Sequence, residues 1–347
     1  MTEFTRRLPA EWEKHQATLL AFPHNGNDWP GKYEAARWAF IEIIRKVVRQ
    51  EGVLLVVKSR AQRERVHAML KQARADSSGV RYLVLKTNRS WVRDSGPIVV
   101  QRRGGAREAL QFRFNGWAKY PNHRLDARLP SAVAAALGLP LTPVRRNGRA
   151  VVLEGGAIDV NGAGTLITTE ECLLSAKTQV RNPGFSRRDY EAVFREYLGI
   201  RNVIWLGQGI EGDDTHGHVD DICRFVNRNT VVACTEPNRK DANHKRLLDN
   251  LERLKSSRLE DGGKLEIVPI PMPGRIEFED LRLPASYANF LVTQGCVLVP
   301  TFNDANDCKT LGILSELFEG RRVIGIHAVD LVWGLGTLHC LSREIAA

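Results

Sequence analysis

Tyr33-Glu34-Ala35-Ala36-Arg37-Trp38-Ala39-Phe40-Ile41-Glu42-Ile43-Ile44-Arg45-Lys46-Val47-Val48-Arg49-Gln50, followed after Glu51-Gly52 by Val53-Leu54-Leu55-Val56-Val57, decides the fold class. In the first part Ala36, Phe40, Ile43, Ile44, Val47 and Val48 recur at helical spacing and form one apolar face. Gly52 ends that pattern. The uninterrupted apolar run behind it reads as a strand buried on both faces. A helix leading into a buried strand is the repeating step of an α/β chain.

The same alternation continues outward. Ser59 is placed to cap a helix carrying Val66, Met69 and Leu70, and residues 80–85 read as the next strand. Arg102-Arg103-Gly104-Gly105 marks a turn between strands expected at 98–100 and 110–114. Asn161-Gly162 predicts a hairpin joining 157–160 to 165–168. Ser186 can cap a helix running to Leu198, with Gly199 placed to end it. Further strands are expected at 203–206, 230–234, 265–270 and 297–299, and helices at 244–254 and 310–318. No linker, low-complexity tract or strict repeat interrupts the pattern, so residues 1–347 read as one domain.

With 43% hydrophobic and 26% charged residues, the chain can bury a sizeable core without staples. Its net charge of +10 raises the question of nucleic acid. The basic residues are scattered as short pairs, such as Arg102-Arg103, Arg145-Arg146, Arg187-Arg188 and Arg321-Arg322, with no interleaved aromatics, which reads as a solvated surface. Six cysteines, at 172, 223, 234, 296, 308 and 340, form no Cys-x-x-Cys pair, so reduced thiols in a cytoplasmic protein are expected. Met1-Thr2-Glu3-Phe4-Thr5-Arg6-Arg7 leads into polar residues and lacks the apolar centre of a signal peptide. No run is long enough to span a membrane.

Four stretches set polar groups beside glycines or apolar strands: Trp91-Val92-Arg93-Asp94-Ser95-Gly96-Pro97, Val152-Leu153-Glu154-Gly155-Gly156, Asp213-Asp214-Thr215-His216-Gly217-His218-Val219-Asp220-Asp221, and Gly334-Leu335-Gly336-Thr337-Leu338-His339-Cys340. Each has an ordinary reading. Asp94 can shape a turn, Glu154 can cap or pair locally, His218 can be a core histidine, and Cys340 can be a small buried hydrophobe. Together they offer one thiol, one histidine and several acids. A thiol beside a histidine is an activated nucleophile. A cysteine protease has no need of the extra carboxylates, whereas a cationic substrate has. A guanidinium stays charged and presents a planar fork of donors. Two carboxylates can pair with it and fix its carbon before the nucleophile. Asp94 and Asp220 are the candidates for that clamp.

In order, these four stretches resemble the agmatine deiminase family and its Porphyromonas-type peptidyl-arginine deiminase relatives. Leu8-Pro9-Ala10-Glu11-Trp12, Phe112-Arg113-Phe114-Asn115-Gly116-Trp117, Thr169-Glu170-Glu171-Cys172-Leu173-Leu174 and Leu283-Pro284-Ala285-Ser286-Tyr287-Ala288-Asn289-Phe290 extend the resemblance over nearly the whole chain. It implies a pentein fold, five ββαβ-like units around a pseudo-fivefold axis with the site at the centre. It implies Cys340 as nucleophile, His218 as general acid/base, Glu154 as an acid near that histidine, and Asp94 and Asp220 on the guanidinium. Asp214 falls where the family carries an acid near the far end of agmatine, and Trp91 lines the same channel. Neither cofactor nor metal is called for, the partner is a small cationic guanidine, and a homodimer would be unsurprising.

The chain also departs from the family pattern. Leu335, Thr337 and Leu338 replace the residues of a Gly-Gly-Gly-Asn-Ile-His-Cys run. His216 stands where Asn or Asp is frequent, Arg89 where an acid is frequent, and Ala118-Lys119 where Gly-Gly is frequent. These changes spare the chemistry and bear on the substrate, leaving agmatine, peptidyl arginine and other guanidines open. Two readings from other classes stand beside this one. His216-x-His218-x-Asp220 resembles the zinc motif of metallo-β-lactamase-like hydrolases, with Asp221 in place of its final histidine. A basic, non-enzymatic nucleic-acid-binding protein is the other.

Overall fold

The computed structural model describes residues 5–347; the opening Met1–Phe4, part of the segment read for a signal peptide, lies outside the described residues. Helix Tyr33–Val47 forms as its spacing predicts and buries Ala36, Phe40, Ile41, Ile43, Ile44 and Val47. These side chains pack with the strand Gly52–Val57 in the largest core cluster. Truncating one of them, as in Phe40→Ala, is expected to cost about 3–5 kcal/mol. Ser59 caps the helix Arg60–Gln72 through Gln62 N–H, and strand Val80–Val84 follows.

Five of the sheets share one pattern, two antiparallel strands followed through a helix by a third strand parallel to the second. Ile98–Arg102 pairs with Arg107–Gln111, and helix Leu129–Leu137 leads to Leu141–Pro143. Asp159–Val160 pairs with Thr165–Thr169, and the helix beginning at Arg187 leads to Asn202–Leu206. Cys223–Phe225, Thr230–Thr235, helix Ala242–Ser256 and Glu266–Pro271 repeat the step. So do Leu291–Val292, Cys296–Thr301, helix Asn306–Leu317 and Arg322–His327. In the fifth sheet the antiparallel partner comes from the far end of the sequence: Ser342–Ala346 lies against His15–Ala21, with Leu20 opposite Ser342, and Gly52–Val57 runs parallel on the other side. The chain is mixed α/β, and no helix among the described residues is long and apolar enough to cross a membrane.

Some expected boundaries move. The strand expected at 110–114 is Arg107–Gln111, because the turn at Gly104-Gly105 returns the chain directly into the ladder. The Asn161-Gly162 hairpin forms, with Asn161 Oδ1 accepting from the backbone N–H of Ala163, Gly164 and Thr165. Its first strand is only Asp159–Val160, since Gly155–Ala157 is a tight helical turn. Helix Arg187–Val193 carries a Ser186–Asp189 capping box and finishes as a wider turn to Leu198, which Gly199 ends in the left-handed region at φ 73°.

Candidate active site

The segments leading into the first strands of the five sheets converge. Asp94 precedes Ile98–Arg102, Glu154 precedes Asp159–Val160, and His218 with Asp220 precedes Cys223–Phe225. Cys340 precedes Ser342–Ala346, and the fifth segment, before Leu291–Val292, brings in Asn289. All six of these side chains are buried.

Local sequence explains how such polar groups are set inward. Asp94 lies in the single turn Val92–Ser95, closed by Ser95 Oγ donating to Trp91 O at 3.0 Å. Gly156 gives Asp94 Oδ1 a backbone donor at 3.0 Å. A Cβ at Gly156 would sit 2.5 Å from His218 Nδ1 and 3.1 Å from Asp220 Oδ2, so this close approach requires glycine. Asp213 shapes the loop into His218, accepting from Gly217 N at 2.7 Å and His218 N at 2.9 Å. Gly336 packs against both Cys340 and Trp91, where a Cβ would meet Cys340 Cβ at 3.0 Å and the Trp91 ring at 3.1 Å.

At the centre, Cys340 Sγ receives Asn289 Nδ2 at 3.0 Å and lies 3.7 Å from Asp220 Oδ2. Burial, with Asp220, Asp221 and Asp94 adding to it, pushes the thiol well above its ordinary range, and the Asn289 amide opposes them. Asp94 Oδ2 accepts from Trp117 Nε1 at 2.8 Å. Burial raises the Asp94 carboxyl, with Asp220 and Glu154 adding to it against His218. Burial also pushes Asp220 upward, but its contact with His339 Nδ1 at 2.6 Å, together with His218 and Arg224, keeps it below its usual range. The other nitrogen of His339 meets Glu11 Oε2 at 2.8 Å.

The His218 ring sits among carboxylates without closing on any of them: Nδ1 is 3.9 Å from Asp94 and 4.0 Å from Asp220, and Nε2 is 3.9 Å from Glu154. Burial works against its charge, yet Asp94, Cys172 and Glu154 outweigh burial and hold the imidazolium well above its ordinary range. Burial likewise pushes Glu154 up, but Arg181, at 3.1 and 3.3 Å, and His218 bring it down to about 2. Both His218 nitrogens and Asp220 Oδ1 are buried with no hydrogen-bond partner among the described residues. Such groups are costly in isolation. Here they surround a thiol with acceptors and one proton carrier, a setting that suits a cation bearing several N–H donors.

One cleft joins this centre to the surface. Cys340 and Asp94 line its inner end, Trp91 and Trp117 its walls, and Tyr120, Arg89 and Asp214 its mouth. Trp91 stacks at 5.5 Å on Trp29. Asp214, half-buried, pairs with Lys119 and accepts from Tyr120 OH at 2.8 Å. The structure thus places Cys340, Asp94, Trp91 and Asp214 in one cleft, with His218, Asp220 and Glu154 directly behind it.

Among the described residues, two sets of side chains lie close enough to share a metal ion, Glu154–Cys172–His218 and Asp220–Asp221–Cys340. Both have donors already engaged, Glu154 by Arg181 and Asp221 and Cys340 by Asn289. His216 belongs to neither. At φ 64° it turns away to face Glu171 at 3.7 Å, so His216-x-His218-x-Asp220 does not converge as a zinc motif would.

A sequence profile of the Porphyromonas-type peptidyl-arginine deiminases matches residues 7–345. The chain belongs to that family. Agmatine deiminase of Ectopseudomonas mendocina (strain ymp) is 32% identical to it, over 97% of this chain and 94% of that one. Among solved structures, agmatine deiminase of Enterococcus faecalis superposes with a TM-score of 0.89 at 26% identity, covering 99% of this chain and 98% of that one. The substrate-bound C315S agmatine deiminase of C. jejuni superposes with a TM-score of 0.87 at 27% identity, over 100% and 98%. Within the family frame, several contributors were not singled out from the sequence: Asn289, His339, Arg181, Trp117 and Glu11. All but Arg181 did sit inside quoted stretches, but their partners are set by three-dimensional contact alone.

Proposed function

We propose that this chain is an agmatine deiminase, hydrolysing agmatine to N-carbamoylputrescine and ammonia. The observation that carries this reading is a cleft with a thiol, Cys340, and a carboxylate, Asp94, at its inner end, His218 and Asp220 directly behind them, and a carboxylate, Asp214, at its mouth. A molecule with a guanidinium at one end and an ammonium at the other fits that order of charges.

Asp94 and Asp220 hold the guanidinium with its carbon before Cys340. Three buried carboxyls disfavour the thiolate in the resting chain, and the arriving cation offsets them. Cys340 then attacks the guanidinium carbon. Its proton passes to solvent as the cation arrives, and the charged His218 donates its own proton to the departing nitrogen, which leaves as ammonia. A cationic S-alkylthiouronium remains on Cys340. Water, losing a proton to His218, adds to that carbon. The C–S bond breaks, the urea-type product leaves, and the thiol is restored. Splitting the reaction into two displacements is the advantage of a covalent nucleophile. Glu154 orients His218 and keeps it charged, and Trp91 walls the channel.

We further read the five sheets as five pentein units around a pseudo-fivefold axis, in one catalytic domain spanning 1–347. The shared strand–strand–helix–strand pattern supports this, as does the common position of the site residues ahead of each first strand. Six free thiols suit a reducing compartment such as the cytoplasm. Ammonia release measured from agmatine, free arginine and C-terminal-arginine peptides tests the function. Agmatine is expected to turn over fastest, and faster release from the peptides would move the assignment to peptidyl arginine.

A further inference from the structure

Asp214 lines the mouth of the cleft and Asp28 sits behind Arg89, which lines it too, and each of these carboxylates already has a cation from this chain. Asp28 is paired with Arg89 at 2.9 Å, and Asp214 is paired with Lys119. Tyr120 joins the two pairs, taking the Arg89 guanidinium over its ring at 4.3 Å and donating its hydroxyl to Asp214. Lys119 is placed there by an unusual turn. Gly116, Trp117 and Ala118 have successive φ values of 68°, 57° and 53°, a left-handed run that non-glycine residues rarely adopt. Lys119 N–H and Tyr120 N–H both return to Gly116 O, at 3.0 and 2.9 Å, and Asn115 Oδ1 accepts from Ala118 N at 2.9 Å. The same turn presents Trp117 Nε1 to Asp94. Lys119 is therefore held over the outer end of a cleft whose inner end is fixed by its neighbour.

We propose that Lys119 is a specificity-determining residue, its ammonium occupying on Asp214 the place where the far ammonium of agmatine would sit. This rests on the deiminase reading above and extends it to a substrate class. An incoming ammonium gains at Asp214 only what it takes from Lys119. A guanidine whose far end is uncharged leaves that ion pair in place and forfeits little. The chain is accordingly expected to accept neutral alkylguanidines nearly as well as agmatine. With the Lys119 side chain 42% exposed, the pair is weak enough to open when agmatine binds.

The test compares ammonia release from agmatine and from n-pentylguanidine, which has a methyl in place of the ammonium, in the unsubstituted chain, Lys119→Met and Lys119→Arg. Methionine keeps the stem beside Tyr120 and removes the charge; arginine keeps the charge. Lys119→Met is expected to lower KM for agmatine by about threefold to fivefold, the range of an exposed ion pair, with kcat unchanged and pentylguanidine unaffected. Lys119→Arg is expected to stay near the unsubstituted chain. An agmatine KM that is unchanged or higher in Lys119→Met, or an equal fall for both guanidines, overturns the role of Lys119 while the deiminase reading stands. Turnover of neither guanidine by the unsubstituted chain overturns both.

Discussion

Asn289 grips the nucleophile segment from two sides. Its Nδ2 lies 3.0 Å from Cys340 Sγ, while its Oδ1 accepts from Thr337 Oγ1 at 2.8 Å and from the backbone N–H of His339 and Cys340 at 3.1 and 3.3 Å. The Asn289 amide draws the thiol down against burial and three carboxyls. Asn289→Ala should therefore shift the pH profile of thiol alkylation upward. It should also lower kcat by about tenfold to a hundredfold, as expected when a hydrogen bond to a charged group worth about 1.5–3 kcal/mol is lost. An unmoved alkylation profile would leave Asn289 with a packing role only.

Cys340→Ser or Cys340→Ala should abolish ammonia release while leaving Tm close to that of the unsubstituted chain. Reagent charge should separate the thiols. Cys308 is exposed and Cys340 is buried among carboxyls. Neutral iodoacetamide should mark Cys308 first, and a cationic haloacetamidine should mark Cys340, as read by peptide mass spectrometry. Full activity in Cys340→Ala would end the covalent mechanism.

Asp94→Asn and Asp220→Asn each remove one charge from a buried cation site, an effect of about 3–5 kcal/mol. Steady-state kcat/KM for agmatine should fall by roughly a hundredfold to a few thousandfold. At Asp94 there is a second reason, since Trp117 Nε1 and Gly156 N use both carboxylate oxygens and an amide can accept at only one. Near-normal kinetics for Asp94→Asn would remove the clamp.

Glu154 links the site to acid stability. Its folded carboxyl titrates at about 2, below the ordinary 4.5. A depressed carboxyl stabilises the fold above its unfolded pKa, and that stability is lost as pH falls from 4.5 through 2. It amounts to about 3 kcal/mol. Denaturant unfolding from pH 6 to pH 2 should therefore show a shallower loss in Glu154→Gln, from a lower starting stability because Arg181 loses its buried partner. Glu344 keeps part of the slope in either chain. Burial opposes its ionisation, but Arg343 and Arg93 hold it at about 2 as well. Equal slopes would show that the Glu154–Arg181 pair does not govern this window.

What the sequence made legible follows from which forces act locally. Periodicity and caps placed Tyr33–Val47, Gly52–Val57 and the helix behind Ser59 to within a few residues, because an apolar face and an N-cap are set by neighbours in sequence. Ser342–Ala346 escaped notice because Arg343 and Glu344 make it look like surface. Arg343 is buried, and Glu344 is half-buried against Arg93 and Arg343. The candidate residues were readable as chemistry, and the resemblance supplied their roles. Their common position before five first strands was not readable, since the sheets share a topology with no shared sequence pattern. Lys119 on Asp214 was equally hidden, because three left-handed residues bring that lysine to the mouth.

The pairing of Ser342–Ala346 with His15–Ala21 has a consequence for how the protein fails. In four of the repeated sheets the strand–strand–helix–strand step is built from neighbours in sequence, whereas this one must close a loop across almost the entire chain, the costliest contact to recover once lost. Cys340 sits at the root of that strand. If the strand detaches, the other four sheets can keep their ladders while the thiol loses its register with Asn289 and Asp220. Local opening of this kind lies below global unfolding in free energy. Mild heating should therefore silence the enzyme before its helices melt, and on refolding secondary structure should return ahead of activity.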